Sequence, residues 1–90
     1  MARDVDSKAL FTYACNFARR SEKAGKGTAY PKFRQAANRF NATLGDIEQA
    51  CNDWDGSLGY MQPAVAVRSG GGGVGEIEHR GDWLVEAYAN

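Results

Sequence analysis

The chain has 90 residues, of which 43% are hydrophobic, and its eleven basic and eleven acidic side chains give a formal net charge of zero. This length predicts one domain, residues 1–90, with a thin core, and ten aromatic residues argue against wholesale disorder. No apolar run approaches the ~20 residues that cross a bilayer, and the N-terminus lacks the apolar centre of a signal peptide. We therefore expect a cytoplasmic protein without a membrane segment.

The charge is distributed unevenly along the chain. Residues 19–39 hold seven basic side chains and one acidic side chain, Glu22, for a net charge of +6. Residues 40–67 hold four acidic side chains and no basic one. A basic stretch of this kind favours phosphate contacts even in a neutral protein.

Apolar residues at helical spacing predict a first helix from Asp6 or Ser7 to Ala24. Asp6 and Ser7 are both suitable caps, and the glycines within residues 24–28 favour the end of the helix.

Two shorter helices follow. One begins near Pro31, because proline suits a first turn, and stops near Asn41, which tolerates the left-handed conformation. The next starts at Thr43 or Gly45. The core predicted from all three helices consists of Phe11, Phe17, Phe33, Ala37, Phe40, Ile47 and Trp54.

After Gly59 the hydrophobic pattern changes from helical spacing to alternation. Residues 63–69 predict a strand, the four glycines 70–73 a loose tip, and residues 74–80 a returning strand. Residues 81–90 suit either a short helix or a third strand. The helix is favoured by four residues that would share one of its faces, namely Trp83, Leu84, Ala87 and Tyr88.

The two cysteines, Cys15 and Cys51, both fall in helical patterns among core-type residues. In a reducing compartment this favours buried free thiols over a disulfide.

A three-helix core followed by a β-hairpin resembles the winged helix-turn-helix family of DNA-binding proteins, a mainly α fold. Ala37 stands where the first helix of that motif needs a small residue, and Asn41 where the family prefers a turn glycine. Ile47 and Ala50 occupy inward positions of the second motif helix. The spacing matches from Phe33 to Asn52, and the architecture matches over most of the chain. In size the chain also resembles small regulators carried on mobile elements such as phages and plasmids.

The resemblance implies that duplex DNA is the partner and that the third helix faces the bases. This helix departs from the family because it has no Lys or Arg. Gln49 and Asn52 can each pair with adenine, and the carboxylate of Glu48 can accept from cytosine N4. Thr43 can bond a phosphate or cap the helix, and Asp46 can stabilise the helix N-terminus.

Phosphate contacts are expected outside the third helix. Lys26, Lys32 and Arg34 surround the start of the second helix, where backbone N–H groups also suit a phosphate. Arg68 and Ser69 open the hairpin tip, where a wing would reach the minor groove or the backbone. The lysines are alternatively a solvated loop, and Arg68 alternatively pairs with an acid across the hairpin.

Catalysis finds little support in the sequence. His79 is the single histidine, and no Cys/His cluster has zinc-ligand spacing. Residues 70–75 satisfy the dinucleotide pattern G-x-G-x-x-G, but that pattern needs a βαβ unit for which too few residues remain. We expect no enzyme, no metal and no cofactor.

The sequence therefore predicts a sequence-specific DNA-binding protein, as a small transcriptional regulator or accessory factor. A symmetric homodimer is expected through the first helix and the terminal segment, with Trp83 and Tyr88 as anchors. The alternative is a winged-helix protein-interaction module, for example a phage-type inhibitor, that uses the acidic third helix and the hairpin. DNA is favoured if the basic stretch shares a face with the third helix, and a protein partner is favoured if it does not.

Overall fold

The computed structural model describes residues 5–65 and 80–90. In this part of the chain three α-helices pack against a two-stranded antiparallel sheet. In chain order these elements are α1 (Ser7–Lys23), α2 (Phe33–Phe40), α3 (Leu44–Asn52), β1 (Gly59–Val65), a 3₁₀ turn (Arg80–Asp82) and β2 (Trp83–Ala89).

The long helix α1 starts as its sequence predicts. Asp6 caps it by accepting from the N–H of Lys8 at 3.2 Å. Its apolar stripe of Leu10, Phe11, Ala14 and Ala18 is buried. The hydroxyl of Ser7 donates to the carbonyl of Ala50 at 2.7 Å, which joins the start of α1 to α3.

A tight turn joins α2 to α3. Asn41 adopts the left-handed conformation with φ of 52°, which few residues other than glycine adopt readily. Ala36, Ala37 and Ala50 are buried where the helices approach the core, and such small side chains allow close packing. The predicted end of α2 and the turn that follows it are confirmed.

The sheet corrects two predictions for the C-terminal part of the chain. β1 begins at Gly59, four residues before the predicted start, and pairs with β2 from Gly59–Ala89 to Val65–Trp83. The helix favoured for residues 81–90 is wrong. This segment forms strand β2, in which Val85 and Ala87 face the core and are buried. The segment is too short for hydrophobic periodicity alone to distinguish a helix from a strand.

Among the described residues the partner of β1 is β2, and the returning strand predicted at 74–80 lies, apart from Arg80, outside the described residues. Residues 66–79, including the glycine tip 70–73, lie outside the described residues.

A short extension of the sheet holds the start of α2. The N–H of Val85 donates to the carbonyl of Pro31 at 2.8 Å, and Lys32 forms an antiparallel bridge with Leu84. The chain just before α2 therefore adds a minimal third strand beside β2.

Gly59 begins β1 at a crowded point of the fold. Its φ is +152°, and a Cβ built there would overlap the backbone of Tyr88 and Ala89 and lie 3.0 Å from Cζ of Phe11. The indole of Trp54 donates to the carbonyl of Gly59 at 3.0 Å. Only glycine fits this position without displacing its neighbours.

The core lies between the helices and the inner face of the sheet. Phe33, Leu10, Ile47 and Val85 are fully buried, and no charged or polar residue is buried among the described residues. Of the seven predicted core residues, Phe11, Phe33, Ala37 and Ile47 are buried, whereas Phe40 and Trp54 are partly buried against the cluster. Phe17 is half-buried at the edge, where it contacts Tyr13 at 6.1 Å between ring centroids.

None of the helices in the described ranges is long and apolar enough to span a membrane.

We expect Ala37→Leu to lower the free energy of unfolding by roughly 1–3 kcal/mol, because a larger side chain overpacks a buried helix contact. Thermal or denaturant unfolding measures this change. Asn38→Leu, at the exposed neighbouring position, is the matched control and should change stability little. Equal effects of the two substitutions would contradict the placement of Ala37 at the helix packing interface.

Candidate nucleic-acid interface

The outward face of α3 carries the predicted base-contacting residues. Ile47, Ala50 and Cys51 are buried, so the opposite face presents Glu48, Gln49 and Asn52. Gln49 and Asn52 are exposed, and Glu48 is half-buried. The structure therefore brings these three side chains together on one helix face.

The acidic character of α3 is partly explained by capping. The hydroxyl of Thr43 accepts from the N–H of Asp46 at 3.1 Å, and the carboxylate of Asp46 accepts from the N–H of Thr43 at 3.0 Å. This reciprocal pair stabilises the start of the helix. Of the two roles considered for Thr43, the structure supplies the cap.

One of the base-contacting amides already has a partner within the helix. Nε2 of Gln49 donates to Oδ1 of Asp53 at 2.9 Å, one turn later. Any base contact by Gln49 must compete with this bond.

Of the basic residues predicted around the start of α2, Lys32 and Arg34 lie beside β2 and the turn before it, whereas the N–H of Lys26 donates to the carbonyl of Ser21 in α1. Lys26 and Lys32 are exposed, and the N–H of Lys32 donates to Oε1 of Gln35 at 2.9 Å, so this amide is already bonded. The guanidinium of Arg34 lies against Gly81, where any Cβ would overlap it. Arg34 therefore packs over the turn that leads into β2.

The two wing residues, Arg68 and Ser69, lie outside the described residues.

A second basic surface, which the sequence analysis did not assign, lies on the outward side of α1. Basic side chains from α1 and from the end of α2 line a shallow concavity of about 810 Å³. They are Lys8, Arg19, Arg20, Lys23 and Arg39, and we call them together the α1 surface. Asp6 is the one acidic residue in this lining.

Two aromatic rings, Tyr13 and Phe40, line the same concavity as the basic side chains. Tyr13 packs edge-to-face against Phe17 and Phe40, with ring centroids 6.1 and 5.7 Å apart. The guanidinium of Arg39 lies over the Phe40 ring, 5.6 Å from its centroid. Burial raises the pKa of Tyr13, and the positive charges of Arg20 and Arg39 partly oppose that shift. The Tyr13 hydroxyl is thus close enough to the guanidinium groups of Arg20 and Arg39 for their charges to affect its pKa.

The α1 surface is separate from the outward face of α3. No residue of α3 lines the concavity. Both helices bury their opposite faces in one core, so their outward faces point in different directions. The +6 stretch is also divided, because Arg19, Arg20, Lys23 and Arg39 line the α1 surface while Lys26, Lys32 and Arg34 do not.

A signal for the α1 surface was present in the sequence. The positions of α1 outside its apolar stripe contain four basic residues and a single acid, Glu22. The carboxylate of Glu22 accepts from the hydroxyl of Thr28 at 2.8 Å and does not line the concavity. The approach of Arg39 depends on tertiary packing and could not be read from α1 alone.

Comparison with known proteins gave no match to a family model, to a curated protein or to a solved structure. The interpretation of the site therefore rests on its own residues.

In the parts of the chain that the structure describes, no group of three or more His, Cys, Asp or Glu side chains is placed to hold a metal ion.

The thiol of Cys51 lies beneath the outward face of α3. Burial, together with the nearby charge of Glu48, raises the pKa of this thiol to about 12. Cys15 is half-buried, and burial raises its pKa as well, with Arg19 acting in the opposite sense. Both cysteines are free thiols, as predicted, although only Cys51 is fully buried.

We expect Cys51 to react with a disulfide reagent more slowly than Cys15 at mildly alkaline pH, because the thiolate is the nucleophile and Cys51 is the more protected. Single variants Cys15→Ser and Cys51→Ser assign the two rates, which should become similar in denaturant. Glu48→Gln should accelerate Cys51 alone, since loss of the negative charge lowers its pKa. Equal rates in the folded protein would contradict the burial of Cys51.

Proposed function

We propose that this chain is a winged helix-turn-helix domain that binds duplex DNA in a sequence-specific way. Three helices, the Pro31–Lys32 extension and the antiparallel pair β1–β2 support this layout, with residues 66–82 joining the two strands. On this proposal α2 and α3 form the helix pair, and the connection between the strands forms the wing that carries Arg68 and Ser69.

The observation that carries the proposal is the outward face of α3. Two amide side chains, Gln49 and Asn52, stand exposed almost one turn apart on the outward face of this short helix. An α-helix fits the major groove, where such amides pair bidentately with adenine. The capping role of Asp46 gives a structural reason for one of the negative charges on α3.

Affinity on this proposal comes from positive charge outside α3. Lys26 is exposed in the loop after α1, Lys32 is exposed directly before α2, and Arg34 packs next to the turn before β2. Contacts of this kind position a protein on DNA without reading its sequence. The function would then be that of a small transcriptional regulator or accessory factor.

Fluorescence anisotropy with two duplexes tests the proposal. One duplex is the region upstream of the protein's own coding sequence, and the other has the same length and composition in scrambled order. Tighter binding to the upstream duplex, with an affinity that falls as salt rises, is the expected result. Equal and salt-insensitive affinity for both would contradict it.

Lys26→Ala and Lys32→Ala should each weaken binding about equally on all sequences and lower the salt slope by roughly one. Anisotropy titrations over a series of salt concentrations measure both quantities. Asn38→Ala, at an exposed uncharged position of α2, is the comparison for general effects of substitution. If the two variants are silent on the upstream duplex, the start of α2 does not lie on that DNA.

Gln49→Ala and Asn52→Ala should each cost roughly 1–3 kcal/mol on the preferred site and little on random DNA. Glu48→Gln removes a charge and keeps the shape. If Glu48 contacts a base, the variant should lose its preference for the upstream duplex over the scrambled one. If Glu48 contacts no base, removal of its negative charge should make the variant bind both duplexes more tightly. No effect of any of these changes on DNA would mean that α3 faces something else.

One observation favours the second candidate function, a protein-interaction module. The acidic side of the molecule, with Asp53 and Asp55 exposed after α3, lies apart from the concavity on α1. Hydrogen bonds from Ser57 lower the pKa of Asp55, which keeps its charge. A partner with a basic surface would suit α3 on this reading, and silence of the α3 variants toward DNA would select it.

The homodimer remains a proposal, and of its two expected anchors Tyr88 is exposed whereas Trp83 is half-buried. Trp83 is half-buried and packs edge-to-face on Phe33 at 5.6 Å, so it belongs to the monomer's packing. Tyr88 is 50% exposed and stacks on Tyr60, itself 45% exposed, at 5.8 Å. These two rings offer an aromatic contact surface on the outer face of the sheet.

A further inference from the structure

The α1 surface concentrates positive charge in a protein whose net charge is zero. Five basic side chains line the concavity against Asp6, and the carboxylate of Asp6 already accepts from the N–H of Lys8. So dense an array of like charge is unfavourable in isolation and favours an anionic partner.

The rings at the α1 surface point to phosphate rather than to bases as the ligand. Tyr13 is flanked by Phe17 and Phe40, and the Phe40 ring is covered by Arg39. These rings are therefore not free platforms on which unpaired bases could stack, as single-stranded nucleic acid requires. They instead hold Arg39 in place, which lowers the entropy that the side chain loses when it binds an anion.

The charges also form an extended row rather than a compact pocket. Lys8 and Lys23 lie fifteen residues apart on one helix, a distance of about 22 Å at the rise of an α-helix. Arg19, Arg20 and Lys23 follow one another within the last turns, and Arg39 adds a fourth charge from α2. A row of this length matches the regular charge array of a duplex backbone.

The direction of this row separates it from the DNA that α3 would face. α1 and α3 enclose the same core, are joined by the bond from Ser7 to the Ala50 carbonyl, and turn their outward faces to different sides. No residue of α3 lines the concavity, so the α1 surface is a contact distinct from Gln49 and Asn52.

We propose that the α1 surface binds the phosphate backbone of a second segment of duplex DNA, so that one molecule bridges two segments. This inference rests on the proposed function of α3. It adds a second DNA contact that is independent of sequence, because Lys and Arg on phosphates position a protein without reading bases.

A pull-down of one duplex by another tests the bridge. The upstream duplex is immobilised on beads, and recovery of a fluorescent scrambled duplex is measured with and without the full-length protein. The wild-type protein should recover the second duplex, and recovery should fall steeply as salt rises.

The deciding variant is Arg20→Gln/Lys23→Gln/Arg39→Gln, which removes three charges and keeps long polar side chains at exposed positions. It should reduce recovery of the second duplex to background while it keeps the preference for the upstream duplex over the scrambled one. Its salt slope on the scrambled duplex should fall by roughly three relative to the wild type. Glu22→Gln, a change of one charge at an exposed position of α1 that does not line the concavity, is the control and should leave bridging intact.

Several outcomes would overturn the inference while the proposed function stands. One is sequence-specific binding by the wild type without recovery of the second duplex. Another is bridging that the triple variant retains, which would assign the bridge to a dimer with two α3 helices. A third is loss of bridging when polyglutamate is added as a competitor, at the same concentration of negative charge as the DNA. This result would assign the α1 surface to an acidic protein. Absence of any DNA binding by the folded wild type would instead remove the proposed function.

Discussion

Attachment of α2 to β2 is the constraint on which the other packing depends. Phe33 is the first residue of α2 and is fully buried, and its ring meets Trp83 at the first position of β2. Two residues earlier, the carbonyl of Pro31 accepts from Val85. Side chain and backbone therefore hold the same two elements together. Since α3 follows α2 through a short turn at Asn41, the orientation of its outward face is fixed by this attachment as well.

Small side chains fill the rest of the core around the contact between Phe33 and Trp83. Alanines from all three helices are buried in the core, and no polar group there lacks a partner among the described residues. A thin core of this kind brings the helices close together and leaves their outward faces broad. A neutral chain can then carry opposite charges on different sides, because the faces are separated by the core and not by distance along the sequence.

The sequence predicted the local features well and the tertiary ones less well. The bounds of α1, the left-handed residue at Asn41 and the cap at Thr43 follow from side-chain chemistry within a few residues, so periodicity and capping rules suffice. β2 was misjudged because Trp83, Leu84, Ala87 and Tyr88 fit a helical face as well as a strand, and pairing with a distant segment decides between them. The α1 surface was missed for a similar reason, since Arg39 joins it only after α2 has folded against the core. The side of the molecule on which Lys32 and Arg34 lie likewise depends on the sheet.

Gly59 has a consequence for the alignment of the two strands. A slip by one residue would bring Leu58 or Tyr60 to the point that passes beneath Phe11 and beside the Tyr88 carbonyl, where no side chain fits. The two strands can therefore pair in one register only. The hydrogen bond from the Trp54 indole to the Gly59 carbonyl also favours this register. Strands that cannot slide transmit this alignment to their other end, at Val65 and Trp83. The last residue of β1 and the first residue of β2 are therefore held side by side, and this spacing is set by a single glycine at the opposite end of the sheet.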